Sequence, residues 1–219
     1  QEQFGVLLAG GDTTSTQGPL TLSLTAMGQV PAGQAVRRAG AAVQEDIWVT
    51  GTIGDAALAL KLIADIGTPA LEDRYPELLS RYRLPQPRTV LGPLLVGLAS
   101  AMADVSDGLL ADLGHICGAS GLGAEIVFPD IPLSEAATAL LDACPDKRDE
   151  FAARVLTGGD DYELVFTAAP GAAGEIERRA AECGTRVTRI GRTVGRTGVR
   201  ALSADGDEIA VSGDGWQHF

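Results

Sequence analysis

Three short stretches combine glycine with acid: Gly10-Gly11-Asp12-Thr13-Thr14, Asp104-Val105-Ser106-Asp107-Gly108-Leu109 and Gly158-Gly159-Asp160-Asp161-Tyr162-Glu163-Leu164. The second carries the most chemistry. Two carboxylates three positions apart at the start of an apolar-periodic helix can sit side by side, where they repel unless a cation joins them. Mg²⁺ accepts such oxygen ligands and completes its shell with water and phosphate oxygens. The backbone N–H groups of the helix start, together with the Ser106 hydroxyl, suit a phosphate oxygen. The simpler alternative is that Asp104, Ser106 or Asp107 caps the helix, worth about 1 kcal/mol. A cap accounts for one of these residues and leaves two acids and a Ser-Asp-Gly over.

The other two stretches read less sharply by themselves. In the first, glycines permit close backbone approach to a phosphate, Asp12 can hold a metal and the threonines can donate; a plain turn between paired strands explains the pentapeptide as well. The third places two consecutive acids at the mouth of a strand, which fits a cationic or amine-bearing ligand or else a solvated turn. Trp216, in Gly215-Trp216-Gln217-His218-Phe219, can stack on a flat heteroaromatic ring or plug the core. His115 and His218 are far apart with no cysteine beside them, and read as structural or surface residues.

Secondary structure has to bring these loops together. Residues 4–9 read as a buried strand, and Leu20, Leu22, Leu24 and Ala26 alternate with Thr21, Ser23, Thr25 and Met27, so two strands are expected to pair across the Gly-Asp-Thr loop. After a Gly- and Pro-containing stretch with the pair Arg37-Arg38, residues 47–51 open a fresh strand and 55–66 a helix. A domain boundary is therefore expected near residue 43, dividing 1–43 from 44–219. Pro69, Pro76, Pro85 and Pro87 break up the next stretch around a short amphipathic segment at 77–83, and 88–101 reads as another helix.

Leu109, Leu110, Leu113, Ile116 and Cys117 recur at helical spacing before Gly121, which makes 104–107 a loop at a helix start. Strands are expected around Ala124, Ile126 and Phe128 and over 162–167, and helices over 134–143 and 175–183. The last segments, 186–194, 199–203 and 208–211, read as an antiparallel meander. This mixture favours an α+β fold.

The 219 residues, 45% of them hydrophobic, suffice for a large core or two modest ones. Lys and Arg number 17 against 29 Asp and Glu, a net charge of −12, so neither nucleic acid nor an anionic membrane is expected as partner. The apolar run from Val90 to Ala103 is interrupted by Gly92, Pro93, Gly97 and Ser100 and falls short of the roughly 20 residues of a bilayer span. Cys117, Cys144 and Cys183 are widely spaced without a CxxC pair, which fits a reducing cytoplasm. The chain opens on Gln1 and runs almost at once into strand-like residues, as if cut into at its N-terminus.

Taken as a set and in this order, GGDTT, ADVSDGLLADLGHI, GGDDYELVFT and GWQHF resemble thiamine-monophosphate kinase, a member of the aminoimidazole ribonucleotide synthetase superfamily. That resemblance implies an α+β fold in which the end of an N-terminal ATP-binding domain (1–43) precedes a mixed α/β-layered C-terminal domain of the synthetase type (44–219). It also implies that about a hundred residues, one domain's worth, precede the GGDTT loop in relatives, including an acidic DDAA-type loop that helps hold the metal ions. The activity implied is ATP-dependent phosphorylation of thiamine monophosphate to thiamine diphosphate, with Mg²⁺, in a cytoplasmic homodimer. Carried over by position, Gly11, Asp12, Arg38 and Ser106 would contact ATP, Asp12, Asp104 and Asp107 would bind Mg²⁺, and Asp160 and Trp216 would line the thiamine-phosphate pocket. Ser15-Thr16-Gln17 lengthens the loop beside Asp12 relative to the family pattern. The alternatives are a ligase or cyclising synthetase of the same superfamily, and a non-catalytic nucleotide-binding module.

Overall fold

Asp46–Thr50 (β1) is buried along its whole length, with Ile47 and Val49 in one hydrophobic cluster and Trp48 in a second, so the strand carries core on both faces. In the computed structural model, which describes residues 2–211, β1 lies inside a six-stranded mixed sheet. The other strands are Ala99–Asp104 (β2), Gly123–Val127 (β3), Leu164–Ala168 (β4), Val187–Val194 (β5) and Gly198–Leu202 (β6), in the order β2-β4-β1-β5-β3-β6. Neighbours are antiparallel except β3 and β6, which run parallel.

The larger cluster joins the sheet to Asp55–Ile66 (α1), Thr68–Arg74 (α2), Pro76–Arg83 (α3), Leu109–Ser120 (α5), Glu135–Ala143 (α6) and Arg148–Thr157 (α7). The smaller cluster packs Leu91–Leu94 (α4) and Ala173–Glu182 (α8) against Trp48 and Phe166, whose rings stack at 6.4 Å. The α+β class therefore stands. Local signals place several elements well: α1 has the expected bounds, and α6 starts at Ser134, whose hydroxyl accepts from Ala137 N–H. Pro69 and Pro76 do not break helices; they begin α2 and α3, where a missing N–H costs nothing.

Three expectations are corrected. Residues 88–101 are not a helix: a turn and the single turn of α4 lead into β2, because the apolar stretch is claimed by pairing with β4. The C-terminal segments are not a meander, since β3 is inserted between β5 and β6, and residue 208 only bridges Leu202. Residues 4–9 and 20–27 form no strands; after a short 3-10 turn at Glu2–Phe4, no strand occurs in residues 2–35, and Leu7, Leu8, Leu20, Leu22 and Leu24 are exposed. A strand exists only where another strand takes up its N–H and C=O groups, and alternation does not supply that partner.

The chain divides into two units, Gln1–Ala35 and Val36–Phe219. Each of the six strands belongs to the second.

Candidate active site

Because β2 and β4 are antiparallel, the C-terminal end of β2 lies beside the start of β4, with Asp104 opposite Leu164. This pairing brings together two acidic loops far apart in sequence. Val105 N–H donates to Glu163 O at 2.8 Å, Tyr162 N–H to Val105 O at 2.8 Å, and Asp160 N–H to Ser106 O at 3.0 Å. Gly159 allows the approach: a Cβ there would stand 2.0 Å from Ser106 O. Gly108 has φ of +128° and equally little room, its Cβ position lying 2.5 Å from Thr157 O.

Along residues 160–163 the side chains alternate between outside and inside. Asp160 and Tyr162 both have positive φ and reach the surface side, where Tyr162 Oη donates to Asp160 Oδ1 at 3.3 Å. Burial raises the Tyr162 phenol above its usual range, and the charges of Asp160, Asp104 and Asp107 raise it further. Among the described residues, none of Asp104, Asp107 and Asp160 has a salt-bridge partner. Uncompensated carboxylates gathered in one place fit a hard divalent cation.

Asp161 and Glu163 turn inward and are structural. Asp161 accepts from Gly54 N–H at 2.7 Å and Ala56 N–H at 3.5 Å, capping α1. Burial pushes its carboxyl up to about 8, partly opposed by those amides. Glu163 is fully buried between Arg81, Arg88 and Thr50, with Arg88 gripping both of its oxygens. The heptapeptide is thus neither a solvated turn nor a uniform ligand loop.

The start of α5 also departs from expectation. Its N-cap is Gly108, and neither Asp104, Ser106 nor Asp107 supplies a side-chain cap. Asp112 does: its Oδ2 accepts from Ser106 N–H at 3.0 Å, Asp107 N–H at 3.0 Å and Gly108 N–H at 3.2 Å. Those amides are therefore not free for a phosphate. Burial raises the Asp112 carboxyl above its ordinary value, against the pull of the three N–H groups. Asp107, Asp112 and the exposed His115 have ligand atoms within 4.8 Å of one another, and Asp104 is not in that group. The motif reading left out Asp112 and took His115 as a structural or surface residue; the signal available in the sequence was their spacing of three on one helix face, three and six residues beyond Leu109.

Arg37 and Arg38 are both exposed, and the Arg37 carbonyl accepts from Met102 N–H at 3.0 Å, which hangs the pair on the edge strand β2. Gly11 and Asp12 lie in the first unit, exposed, with Asp12 Oδ1 bonded only to its neighbour Thr13 N–H among the described contacts. Trp216 and His218 lie outside the described residues.

Residues 43–202 match the family of AIR synthase related proteins over their C-terminal domain. The chain belongs to that family. It is 40% identical over 215 residues to a thiamine-monophosphate kinase of Caulobacter vibrioides, covering 98% of this chain and 59% of that protein. The thiamine-monophosphate kinase structure from Stenotrophomonas maltophilia K279a is 43% identical with a TM-score of 0.73, over 83% of this chain and 56% of that one. AaThiL complexed with AMPPCP and TMP is 30% identical with a TM-score of 0.67, over 84% and 54% of the two chains. The chain thus spans a little under 60% of the length of these relatives.

Proposed function

We propose that this chain carries part of the site of an ATP-dependent kinase that converts thiamine monophosphate to thiamine diphosphate. The observation that carries the reading is the bonding of the 104–108 loop to the 159–163 loop, which sets Asp104, Asp107 and Asp160 about one end of the sheet. Likeness to thiamine-monophosphate kinases, and to a structure holding AMPPCP and TMP, supports it.

Asp104 and Asp107 would hold Mg²⁺. Bound there, Mg²⁺ would neutralise charge on the transferring phosphoryl group. In this reading Arg38 and Ser106 contact ATP, Arg38 bringing a fixed positive charge to a strongly acidic region. Asp160 pairs with the thiazolium or the aminopyrimidine of the thiamine moiety, and Trp216 stacks on it. The acceptor phosphate oxygen attacks the γ-phosphorus in line as the bond to the ADP oxygen breaks. A phosphate monoester is already largely ionised at neutral pH, its second pKa being about 6, so no general base is assigned. The chain's work is to position two anions and share their charge.

In the same reading residues 1–43 close an N-terminal ATP-binding domain, 44–219 form the C-terminal one, and the enzyme is a cytoplasmic homodimer. The test is product analysis with the protein of the complete open reading frame, Mg²⁺, ATP and thiamine monophosphate. Thiamine diphosphate and ADP in equal amounts are expected. ATP binding without turnover dependent on thiamine phosphate would overturn the reading in favour of a binding module.

A further inference from the structure

We propose that Asp112 is the positioning residue of the 104–108 loop: its carboxylate fills the anion seat at the N-terminus of α5, fixes the backbone carrying Ser106 and Asp107, and closes that helix start to external phosphate. The inference rests on the phosphoryl-transfer reading of this end of the sheet.

Ordinary capping satisfies amides of the helix itself. Here α5 begins at Leu109, and the three amides held by one Asp112 oxygen belong to Ser106, Asp107 and Gly108, the residues before it. The carboxylate therefore shapes the loop. Three consecutive N–H groups converging on one point form an anion-binding concavity of the kind that elsewhere takes phosphate. In this chain the occupant is internal and fully buried. The neighbouring helix repeats the device, since Asp161 takes Gly54 and Ala56 N–H at the start of α1. With both helix starts sealed by acids of the chain itself, neither offers these amides to nucleotide phosphates. Ser106 O is also the acceptor for Asp160 N–H, so the loop conformation set by Asp112 carries through to the proposed substrate residue.

The test compares Asp112→Ala and Asp112→Asn in the protein of the complete reading frame, by amide hydrogen exchange at residues 106–108, by kinetics per folded molecule, and by calorimetric titration with inorganic phosphate. Asp112→Ala is expected to speed exchange at these amides and to lower kcat, each about tenfold or more, and to raise KM for thiamine monophosphate several-fold through Asp160. Inorganic phosphate should bind the emptied seat as one site more than the parent protein offers. Asp112→Asn keeps an acceptor oxygen and should fall between; where the alanine variant does not fold, it carries all three readouts. Unchanged exchange overturns the proposal, as does faster exchange with kcat per folded molecule intact, which would make Asp112 a helix stabiliser alone. Should the parent show no thiamine-phosphate-dependent turnover, the kinase reading fails separately. The amide and phosphate measurements then decide about Asp112: faster exchange with phosphate capture supports the seat, and the absence of either overturns it.

Discussion

At the scale of single residues, the chemistry turns on carboxylates that look alike in sequence and differ in surroundings. Asp104 is exposed and Asp107 and Asp160 are half-buried, all three without a paired cation among the described residues, whereas Asp161 and Glu163 are sealed inside and fully bonded. Removing one carboxylate from a divalent ion costs both a ligand and a charge, so Asp107→Asn should weaken Mg·ATP binding about tenfold, read by isothermal titration. Equal affinity in Asp104→Asn and Asp107→Asn variants and the parent would remove these residues from the metal site. The arginine pair is a second case. Arg37 is held at β2 through its carbonyl, whereas Arg38 lies in the bend that follows it. With Arg38 as the phosphate contact of the proposed function, Arg38→Ala should raise KM for ATP several-fold more than Arg37→Ala. Equal effects, or a larger one at Arg37, would show that the other arginine faces the nucleotide.

At the scale of elements, the site depends on how closely two loops approach. Gly159 has no room for a methyl group, because the backbone carbonyl of Ser106 occupies that space. Gly159→Ala must push the 159–163 loop away from the 104–108 loop and strain or break the Asp160-to-Ser106 hydrogen bond. Overpacking of this kind typically costs about 1–3 kcal/mol, which thermal unfolding would register. Because the displaced residue is Asp160, the specificity constant for thiamine monophosphate should fall by more than the loss of folded protein explains. A variant as stable and as active as the parent would mean that the loops have slack.

At the scale of the whole molecule, the buried Asp161 couples folding to pH. Burial holds its carboxyl at about 8 in the folded protein against an ordinary 3.8, so between these values the folded state keeps a proton that the unfolded chain has released. Its contribution is fully present below about pH 4, declines with rising pH and is lost above about pH 8. Asp161→Asn cannot ionise and retains an acceptor for Gly54 N–H. Urea midpoints from pH 5 to pH 8 should accordingly fall less steeply in Asp161→Asn than in the parent. Parallel slopes would show that Asp161 is ionised throughout in the folded protein.

The sequence by itself determined the parts whose causes are local. The helix at Asp55–Ile66, the Ser134 cap, the helix after Gly108 and the glycine–acid composition of the loops follow from periodicity, capping and turn chemistry within a few residues. Tertiary structure decided whatever depends on a distant partner. Residues 88–101 and 20–27 both had patterns, but β4 pairs with the end of the first and nothing pairs with the second among the described residues. Insertion of β3 between β5 and β6 was likewise invisible, because register and neighbour are chosen by non-local hydrogen bonds. The same limit governed the site. Antiparallel β2 and β4 put Asp104 beside Leu164, and packing against α1 and the Arg81–Arg88 pair turned Asp161 and Glu163 inward while Asp160 stayed outside. A carboxylate's role is set by how much water and which charges surround it, and those surroundings exist only once distant segments have come together.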